Sequence, residues 1–463
     1  MAKMRWRLKP RVPHHIVEAR GELSPILVQL LYNRGIIGLH DAQAFLSGDS
    51  RLSGDPFLLP DMAKAVERIL QAIAHDEEMA VYGDFDGDGI TATVLLVKAI
   101  SALGGRVRPY IPNRFTEGYG VNQDALASLR ADGVALVITV DCGTSSLGEL
   151  LFAQEIGLDV VVTDHHSIHE GLPPAVAVVN LQRSDHSYPF RDLCGVGTAF
   201  KLSQALREAS GGSPYCDDDF LDLVAIGTVT DVVPLTGENR YLVKAGLGVM
   251  NSSPRLGLRA LVERAGLTPG KLDASHIGYS LGPRINAMGR LDHALVSYQL
   301  LSTDSPEEAA ELAAVLDEKN RERQRLTQDA QEMALQQVSA EGASVSILIT
   351  ASPDYHSGVV GIVASKLVEA WYRPAVVIEV GPEVSRGSCR SIPEFDIAGA
   401  LAECHHLFLR YGGHPKAAGF TIPTENIPAL REGLTAIAER ELGDLDLASS
   451  LDIDAEMPLS AAA

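Results

Sequence analysis

The hydrophobic pattern of the chain changes near residue 76. Before that point, apolar residues recur at helical spacing in residues 25–31 and 62–74, which predicts helices. After it, short runs rich in β-branched residues alternate with helical segments. The predicted strands are 79–82, 107–111, 135–140, 160–163 and 176–179, and the predicted helices between them are 90–103, 123–131 and 145–156. Near-continuous apolar strands separated by helices are typical of an α/β fold with a parallel sheet.

A long polar segment separates this pattern from a second one. Ser305 is a candidate helix cap, it is followed by Pro306 and two acids, and no further Gly or Pro occurs before residue 340. A polar helix of this length usually bridges two domains. Beyond it, the pattern predicts strands at 345–350 and 375–379 with a helix at 359–371 between them. The predicted segments are an N-terminal helical region at 1–75, an α/β domain at 76–304, a connecting helix at 305–342, a smaller α/β domain at 343–445 and an acidic tail at 446–463.

Composition narrows the class of protein. The 463 residues suffice for two or three domains, and 46% hydrophobic with 21% charged residues is an ordinary globular balance. No apolar stretch approaches the roughly 20 residues needed to cross a bilayer, and no secretory signal is visible, so we expect no membrane partner. Five scattered cysteines indicate a reduced, cytoplasmic protein. The net charge of −21 disfavours non-specific duplex binding but leaves room for a local basic site.

Acidic and imidazole side chains follow several of the predicted strands. Because the carboxyl ends of parallel strands share one edge of a sheet, we expect these side chains to converge there. An acid after the apolar stretch 220–229 is predicted to join them. The candidate catalytic residues are Asp84, Asp86, Asp141, His165, His166 and Asp231. The candidate metal ligands are Asp84, Asp86, Asp88, Asp141, His165 and Asp231.

Simpler interpretations of these acids exist. The alternating acids from Asp84 to Asp88 could form a calcium loop, but such a loop needs Glu at its twelfth position, where this chain has Leu95. They could also form a solvated acidic turn, and Asp164-His165-His166 alone could be a helix cap with surface histidines. Neither alternative explains why acids follow several separate apolar segments.

Clustered carboxylates repel one another unless cations neutralise them. A mixed Asp and His set suits Mn²⁺ or Mg²⁺ better than structural zinc, which favours cysteine. Two such ions about 3.5–4 Å apart can activate water and stabilise both oxygens of an in-line phosphoryl displacement. The set therefore predicts phosphodiester hydrolysis without a covalent intermediate. The sequence has no nucleophile elbow or P-loop, and Gly195-Val196-Gly197 is only a fragment of a dinucleotide fingerprint.

Several of these motifs resemble a known family. Asp84-Phe-Asp86-Gly-Asp88-Gly, Asp141-Cys-Gly143, Asp164-His165-His166 and Asp231 resemble the DHH phosphoesterase superfamily. The segments 282–290, 358–365, 387–391 and 410–414 are similar, more closely, to the RecJ family of single-stranded-DNA-specific exonucleases. The resemblance covers about residues 20–445. It implies a DHH domain joined by a long helix to a DHHA1 domain, with the active site in the cleft between them.

The resemblance also implies an activity. It implies a 5′→3′ exonuclease that uses two divalent cations, Mn²⁺ or Mg²⁺, to hydrolyse single-stranded DNA to 5′-mononucleotides in DNA repair and recombination. Single-stranded DNA is the expected partner, with single-strand-binding protein and repair helicases as further candidates. A DHH-type phosphodiesterase for short oligonucleotides or cyclic dinucleotides is the alternative. A catalytically inactive scaffold is a third hypothesis, which the nearly complete set of ligands disfavours.

Phosphate contacts are expected in Gly-rich segments, where backbone can approach a ligand closely, and from Arg, whose planar fork matches phosphate oxygens. The candidates are Arg114, Arg284, Asn286, Arg290, Ser388, Arg390, Gly412, Gly413 and His414. Gly412-Gly413 predict a tight turn that presents the imidazole of His414. The resemblance places Arg284 and Arg390 facing the metals.

Two departures from the family pattern qualify these expectations. Many family members have a His two residues before the first motif acid, where this chain has Tyr82. Family members also continue into an OB-fold that grips single strands, whereas this sequence stops where that domain would begin. We therefore expect weaker DNA binding or lower processivity.

Overall fold

The computed structural model describes residues 4–18, 22–168, 171–212, 215–341 and 345–457. All five predicted segments include some residues outside these ranges, and that division stays a prediction. The chain forms two compact units. We call residues 38–320 the central unit, and residues 1–37 with 321–463 the terminal unit.

The described residues form an α/β protein. The strands are β1 Met4–Leu8, β2 Glu78–Tyr82, β3 Arg106–Tyr110, β4 Val134–Val140, β5 Asp159–Asp164, β6 Ala177–Asn180, β7 Leu348–Ser352, β8 Ala375–Glu379, β9 Val384–Arg390, β10 Arg410–His414, β11 Ala417–Pro423 and β12 Ser449–Ile453. The helices are α1 His14–Glu18, α2 Pro25–Tyr32, α3 Leu39–Ser47, α4 Met62–Ala74, α5 Gly87–Ala102, α6 Gln123–Ala131, α7 Leu147–Glu155, α8 Gly195–Ala209, α9 Leu221–Thr230, α10 Gly237–Ser252, α11 Leu256–Arg264, α12 Ala274–His276, α13 Gly282–Leu291, α14 Leu295–Ser302, α15 Pro306–Glu341, α16 Ser357–Trp371, α17 Ile397–Glu403 and α18 Ile427–Leu442.

The central unit is built on the predicted parallel sheet. Its strand order is β3-β2-β4-β5-β6, and all neighbouring pairs are parallel. The sequence Val-Ala-Leu-Val-Ile-Thr-Val of β4 is almost wholly buried because helices cover both faces of a parallel sheet. All five predicted strands are confirmed within one or two residues. Since β2, β4 and β5 are adjacent, the loops that follow them lie side by side.

Two apolar layers enclose this sheet. On one face, Met79 and Ile138 belong to the same core as residues of α4, α5, α8 and α9. On the other face, Val137 and Val162 pack with residues of α6 and α7. The sheet edge that carries the candidate ligands is therefore held between buried layers.

The terminal unit contains a mixed sheet of order β10-β11-β9-β8-β7. Only β7 and β8 pair in parallel, and the other pairs are antiparallel. One face packs with residues of α17 and α18, and the other, on the side of β7 and β8, packs with α16 and the last turns of α15. The predicted strands at 345–350 and 375–379 and the helix at 359–371 are confirmed.

The predicted connecting helix is confirmed as α15, a single helix of 36 residues. Its mean hydropathy is low, and it contributes apolar side chains to both units, Leu316 to the central core and Ala334 to the terminal core. Across the described ranges, the chain contains no helix that is long and apolar enough to cross a membrane.

The N-terminal region differs from its prediction, because residues 4–8 form a strand and not a helix. β1 pairs in parallel with β12, from the segment predicted to be an acidic tail. Arg7 bonds to Asp452 at 2.7 Å and Lys9 to Asp454 at 2.8 Å. Every residue of β1 is exposed, so no alternation of buried and exposed positions marks it as a strand. Its partner lies about 440 residues away in sequence, where local patterns do not reach.

A buried ion pair joins two helices of the central unit. Nζ of Lys201, on α8, lies 2.9 Å from Oε1 of Glu238, on α10, and neither side chain is exposed. Lys201 also donates to the carbonyl of Gly54, and the hydroxyls of Ser53 and Tyr188 donate to Glu238. The charges are thus paired and fully hydrogen-bonded, as buried charges require.

Replacing one member of this pair should destabilise the fold. We expect Lys201→Met to lower the free energy of unfolding by about 3–5 kcal/mol because it leaves Glu238 buried without a cation. The double variant Lys201→Met/Glu238→Leu should recover part of that loss. Urea unfolding of the chain measures both, and a loss below about 1 kcal/mol for the single variant would contradict the pairing.

Candidate active site

The first two candidate ligands lie in the loop between β2 and α5. Asp86 caps α5, and its Oδ1 accepts from the amides of Asp88 at 3.0 Å and Gly89 at 3.2 Å. The helix therefore begins at Gly87, three residues earlier than predicted. A Cβ at Gly89 would lie 2.6 Å from the backbone nitrogen of Asp84. Only glycine lets the first turn of α5 approach Asp84 so closely.

Asp141 follows β4 in a strained backbone conformation. Its φ is +61°, in the left-handed region that residues other than glycine rarely adopt. Such strain persists only where the surroundings impose it, and it is common at functional sites. A Cβ at Gly195 would lie 2.5 Å from Cβ of Asp141, so α8 begins directly against this side chain.

The third loop supplies the two histidines, and Asp164 orients them. Oδ1 of Asp164 accepts from Nδ1 of His166 at 2.7 Å and from the backbone of His165, while Oδ2 accepts from the amide of Thr144 at 2.9 Å. Asp164 is therefore occupied as a hydrogen-bond acceptor. Nε2 of His165 lies 3.0 Å from Oδ1 of Asp141 and 3.7 Å from Oδ2 of Asp231.

Asp88 points away from the loop toward the start of α8. Its two oxygens accept from the amides of Gly195 at 2.6 Å and Val196 at 2.7 Å. Anions are favoured at helix N-termini because the amides there have no partner within the helix. Asp231 follows α9, and ligand atoms of Asp88, Cys194 and Asp231 lie within 4.8 Å of one another. The segment Gly195-Val196-Gly197, which resembles a fragment of a dinucleotide fingerprint, thus binds the carboxylate of Asp88.

The candidate side chains converge as the strand order predicts. Among the residues that the structure describes, three groups have ligand atoms within 4.8 Å of one another and could each hold a metal ion. They are Asp84, Asp86 and Asp141; Asp141, His165 and His166; and Asp88, Cys194 and Asp231. Asp141 belongs to two of them, and Oδ2 of Asp231 in the third lies 3.7 Å from Nε2 of His165, so the groups form a continuous cluster.

Three buried atoms at the centre of this cluster lack hydrogen-bond partners. They are Oδ1 of Asp84, Oδ1 of Asp141 and Nε2 of His165. Although the last two are 3.0 Å apart, they do not make a hydrogen bond. Buried polar atoms are almost always satisfied, because leaving them unpaired costs free energy. Carboxylate oxygens with an imidazole nitrogen are a donor set that fits Mn²⁺ or Mg²⁺.

The pKa values of the carboxyl groups in the cluster also indicate a cation site. Burial, reinforced by the neighbouring carboxylates, raises the pKa of Asp84 and of Asp141 well above its usual value. The same causes raise the pKa of Asp88 to about 7 and that of Asp231 to about 8. The protein alone therefore does not neutralise these charges, and a bound cation would.

The two histidines have opposite protonation tendencies. Burial, aided by the charge of His166, lowers the pKa of His165 to about 4. Burial would also lower the pKa of His166, but its hydrogen bond to Asp164 and that carboxylate's charge raise it to about 9. At neutral pH, His165 is the better ligand and His166 is a cation.

Of the predicted phosphate contacts in the central unit, Arg114 lies beside two of the candidate ligands. Its guanidinium stacks over the ring of Phe85 at 5.0 Å, and its charge interacts with Asp84 and Asp86. Arg284 forms an ion pair with Asp317, in which Nε lies 3.0 Å from Oδ1, and its phosphate contact stays a prediction.

The other two predicted contacts of this unit lie on α13, which packs against the loop after β2. A Cβ at Gly289 would meet the carbonyl of Phe85 at 2.3 Å. Oδ1 of Asn286 is buried without a hydrogen-bond partner and lies near Gly87. Arg290 is partly exposed on the same helix. Asn286 is therefore close enough to the loop to serve the same site.

The remaining predicted contacts lie together in the terminal unit. Nη1 of Arg390 donates to the hydroxyl of Ser388 at 3.2 Å on β9. Gly412, Gly413 and His414 are part of β10, so the predicted tight turn at Gly412-Gly413 is wrong. The chain reverses after His414, and the two glycines pair with Gly419 and Ala418 of β11, because hairpin pairing outweighs their turn preference.

Sequence reasoning missed other residues of the site. Oη of Tyr119 lies 3.2 Å from Nε2 of His166, and the Tyr119 ring meets Phe85 edge-on. Nothing in sequence spacing brings residue 119 to residue 166. Tyr82, which departs from the family pattern, is buried with its hydroxyl donating to the carbonyl of Gly120 at 3.0 Å. It supports the wall of the site.

Comparison with known proteins agrees with this architecture. The family model described as the DHH family, N-terminal domain, matches residues 78–228, and the DHHA1 domain model matches residues 344–440. These matches fall on the parallel sheet of the central unit and on the mixed sheet of the terminal unit.

Named relatives extend over nearly the whole chain. The single-stranded-DNA-specific exonuclease RecJ of Bacillus subtilis is 39% identical over 458 residues, which are 98% of this chain and 57% of the relative. RecJ of Dickeya dadantii is 37% identical, and the match covers 91% of this chain and 76% of that relative. The chain thus spans little more than half of the first relative.

A solved structure has the same fold. The crystal structure of RecJ from Thermus thermophilus in complex with Mn²⁺ superposes with a TM-score of 0.85 at 33% identity, covering 98% of this chain and 65% of that one. The architecture, the motifs and the extent of these matches lead to one conclusion: the chain belongs to the RecJ family.

Proposed function

We propose that this chain is a metal-dependent exonuclease that hydrolyses single-stranded DNA from its 5′ end to mononucleotides. The observation that carries the proposal is the set of buried, unpartnered atoms of Asp84, Asp141 and His165, which converge from three strand ends. The relatives named as single-stranded-DNA-specific exonucleases support the substrate. RecJ structures described with Mn²⁺ and with Mg²⁺ support the choice of cation.

The geometry supports two cation positions that share Asp141. Asp84 and Asp86 would complete one position, and His165 with Asp231 would complete the other. Asp88 accepts two amides of α8, so its main role would be to anchor that helix beside Asp141. The free oxygen of Asp86 remains for a ligand, because only Oδ1 caps α5.

Divalent cations in these positions would activate a water for in-line attack and neutralise charge on the phosphate oxygens. The chain's own residues would orient the substrate. Protonated His166, held by Asp164, would donate to a phosphate oxygen or to the hydroxyl of Tyr119. Arg114 would add a cation beside Asp84 and Asp86.

Strand binding would rest on the terminal unit, where Ser388 and Arg390 would hold a phosphate. We place the protein in a reduced compartment, since all five cysteines are free and four are buried. Single-strand-binding protein and repair helicases would be its partners in DNA repair and recombination.

Product analysis tests the proposal directly. An end-labelled 5′-phosphorylated strand is incubated with Mn²⁺, Mg²⁺ or chelator beside a dinucleotide substrate. We expect mononucleotides from the 5′ end with metal and none with chelator. Preference for the dinucleotide would favour the short-oligonucleotide phosphodiesterase instead, and cleavage in chelator would remove the metal centre from the account.

Asp141→Asn should abolish hydrolysis without unfolding the protein. We expect kcat to fall at least about a thousandfold because both cation positions lose a ligand. The melting temperature of the metal-free protein should hold or rise, since one buried like charge is removed. Asp124→Asn, at an exposed position of α6, is the matched control. Mn²⁺-dependent turnover within tenfold of the wild type would refute the assignment.

Stability of the metal-free protein should fall as pH rises from about 6.5 to about 8.5. Asp231 and His166 both have raised pKa values, so the native state binds more protons than the unfolded state in this window. We expect the free energy of unfolding in urea with chelator to drop by at least about 2 kcal/mol. Asp231→Asn should flatten the curve. A rise of stability with pH would contradict the clustering of charge.

Arg390→Ala should weaken substrate binding more than chemistry. We expect KM for a 5′-phosphorylated strand to rise about tenfold with little change in kcat, because a phosphate contact is lost and no metal ligand is. The preference for a 5′-phosphate over a 5′-hydroxyl end should soften as well. Steady-state kinetics on both ends measure this, and an unchanged KM would remove Arg390 from the residues that contact phosphate.

A further inference from the structure

Helix α13 packs against segments that carry ligands of both proposed cation positions. A Cβ at Gly282 would lie 2.4 Å from Cγ2 of Thr230, the residue before Asp231. A Cβ at Gly289 would lie 2.3 Å from the carbonyl oxygen of Phe85, which stands between the two acids of the other position. Because a side chain at either glycine would collide, α13 is closely fitted to the loop after β2 and to the end of α9.

The opposite face of α13 carries Arg284. Successive residues of an α-helix are about 100° apart, so Gly282 and Gly289 share one face, and Arg284 lies about 200° around the helix from Gly282. Its Nη1 donates to the carbonyl of Ser280 at 2.8 Å and to the hydroxyl of that residue at 3.1 Å. Its Nε and Nη2 each lie 3.0 Å from Oδ1 of Asp317 on α15. Arg284 is therefore turned toward α15 and away from the segments that carry the ligands.

Asp317 is a buried carboxylate that the proposed reaction does not use. It is fully buried, and the side chain of Arg284 is only 16% exposed. Oδ2 of Asp317 lies 3.3 Å from Nε of Arg264, the last residue of α11, whose side chain is 48% exposed. Leu316, the neighbour of Asp317 on α15, packs in the central core. Asp317 thus stands on a fixed part of α15, within the same unit as α13.

Stability alone is a weak reason for this buried pair. Apolar residues of similar volume are often as stable as a buried ion pair. A guanidinium adds geometry, because it is planar and its N–H groups point in fixed directions. The contact between Arg284 and Asp317 therefore fixes both the distance and the orientation of α13 relative to α15.

We propose that Arg284 and Asp317 are positioning residues for the metal centre, and that their ion pair holds α13 against the loop after β2 and the end of α9. Through these two contacts, α13 sets the distance between the two cation positions. The inference rests on the proposed function for the cations. It gives Arg284 a role other than the predicted phosphate contact, and the two roles lead to different measurements.

Hydrogen exchange of the metal-free chain tests the contact without any ligand. We expect Arg284→Gln to speed amide exchange in residues 282–291 about tenfold, because a charged hydrogen-bonded contact of this helix is lost. Arg264→Gln is the matched control, since it removes an equal charge from the same carboxylate but lies on α11. Equal exchange of α13 in the wild type and in Arg284→Gln would overturn the proposal.

Calorimetric titration with Mn²⁺ tests the effect on the metal centre. Arg284→Gln and Asp317→Asn should each weaken Mn²⁺ binding about tenfold, the size of effect typical of losing a support of metal ligands. Arg264→Gln should bind Mn²⁺ within about twofold of the wild type, because a half-exposed ion pair contributes little. Equal losses in all three variants would indicate a general effect of charge and would overturn the positioning role.

The two residues should act as one unit. Arg284→Gln/Asp317→Asn should weaken Mn²⁺ binding about tenfold and not about a hundredfold, because both changes break the same contact. Arg284→Lys keeps the charge without the planar fork, so it should recover part of the loss. Additive losses in the double variant would overturn action through a shared ion pair. If Asp317→Asn does not fold, the two variants of Arg284 still decide.

Strand binding in chelator separates this role from a phosphate contact. A lost phosphate contact would lower affinity for 5′-phosphorylated dT12 about tenfold, whereas we expect Arg284→Gln to stay within about twofold of the wild type. Fluorescence anisotropy measures both. A tenfold loss of strand affinity with unchanged Mn²⁺ binding would overturn the proposal and assign Arg284 to the substrate.

The outcomes also distinguish this inference from the proposed function. If the wild type binds Mn²⁺ but releases no nucleotides, weaker Mn²⁺ binding in Arg284→Gln would leave the positioning role standing and remove the exonuclease. If the wild type releases nucleotides but Arg284→Gln binds Mn²⁺ equally well, the positioning role alone is removed. Absence of Mn²⁺ binding to the wild type would overturn both.

Discussion

Repulsion among buried carboxylates is the constraint on which the site depends. Asp84 and Asp141 are almost fully buried, and Asp88 and Asp231 lie within reach of the same cluster. Their pKa values are raised because burial and mutual repulsion both disfavour the charged forms. Buried carboxylates stay this close together only if the surrounding backbone holds them in place and a bound cation neutralises their charge.

Backbone elements hold the carboxylates of the site in place. Parallel strands β2, β4 and β5 bring three loops together, and the start of α8 meets both Asp88 and Asp141. Glycine at position 195 permits that approach, and Asp141 adopts a left-handed conformation. Helix N-termini thus hold Asp86 and Asp88, while Asp164 holds His166. The motif from Asp84 to Asp88 therefore contains both candidate metal ligands and a carboxylate, Asp88, that anchors a helix. For this reason its acids have different roles.

Much of this was predictable from sequence, for physical reasons. The apolar runs of β2, β4 and β5 identify a parallel sheet, and parallel order alone brings Asp84, Asp141 and His165 to one edge. What could not be predicted depends on long-range contacts. β1 is exposed and pairs with a strand from the other end of the chain, Arg284 is bound by Asp317, and Tyr119 reaches His166 from a distant loop. Gly412-Gly413 suggested a turn because local preference says nothing about pairing with β11.

Divalent cations are required to neutralise the buried carboxylates of the site. Calorimetric titration of the metal-free chain with Mn²⁺ at pH 7, repeated in buffers of different ionisation enthalpy, tests it most directly. We expect two ions bound per chain with release of protons, because carboxyls with raised pKa values must ionise on binding. Absence of binding, or binding without proton release that persists when Asp84 and Asp141 are both replaced by Asn, would contradict it.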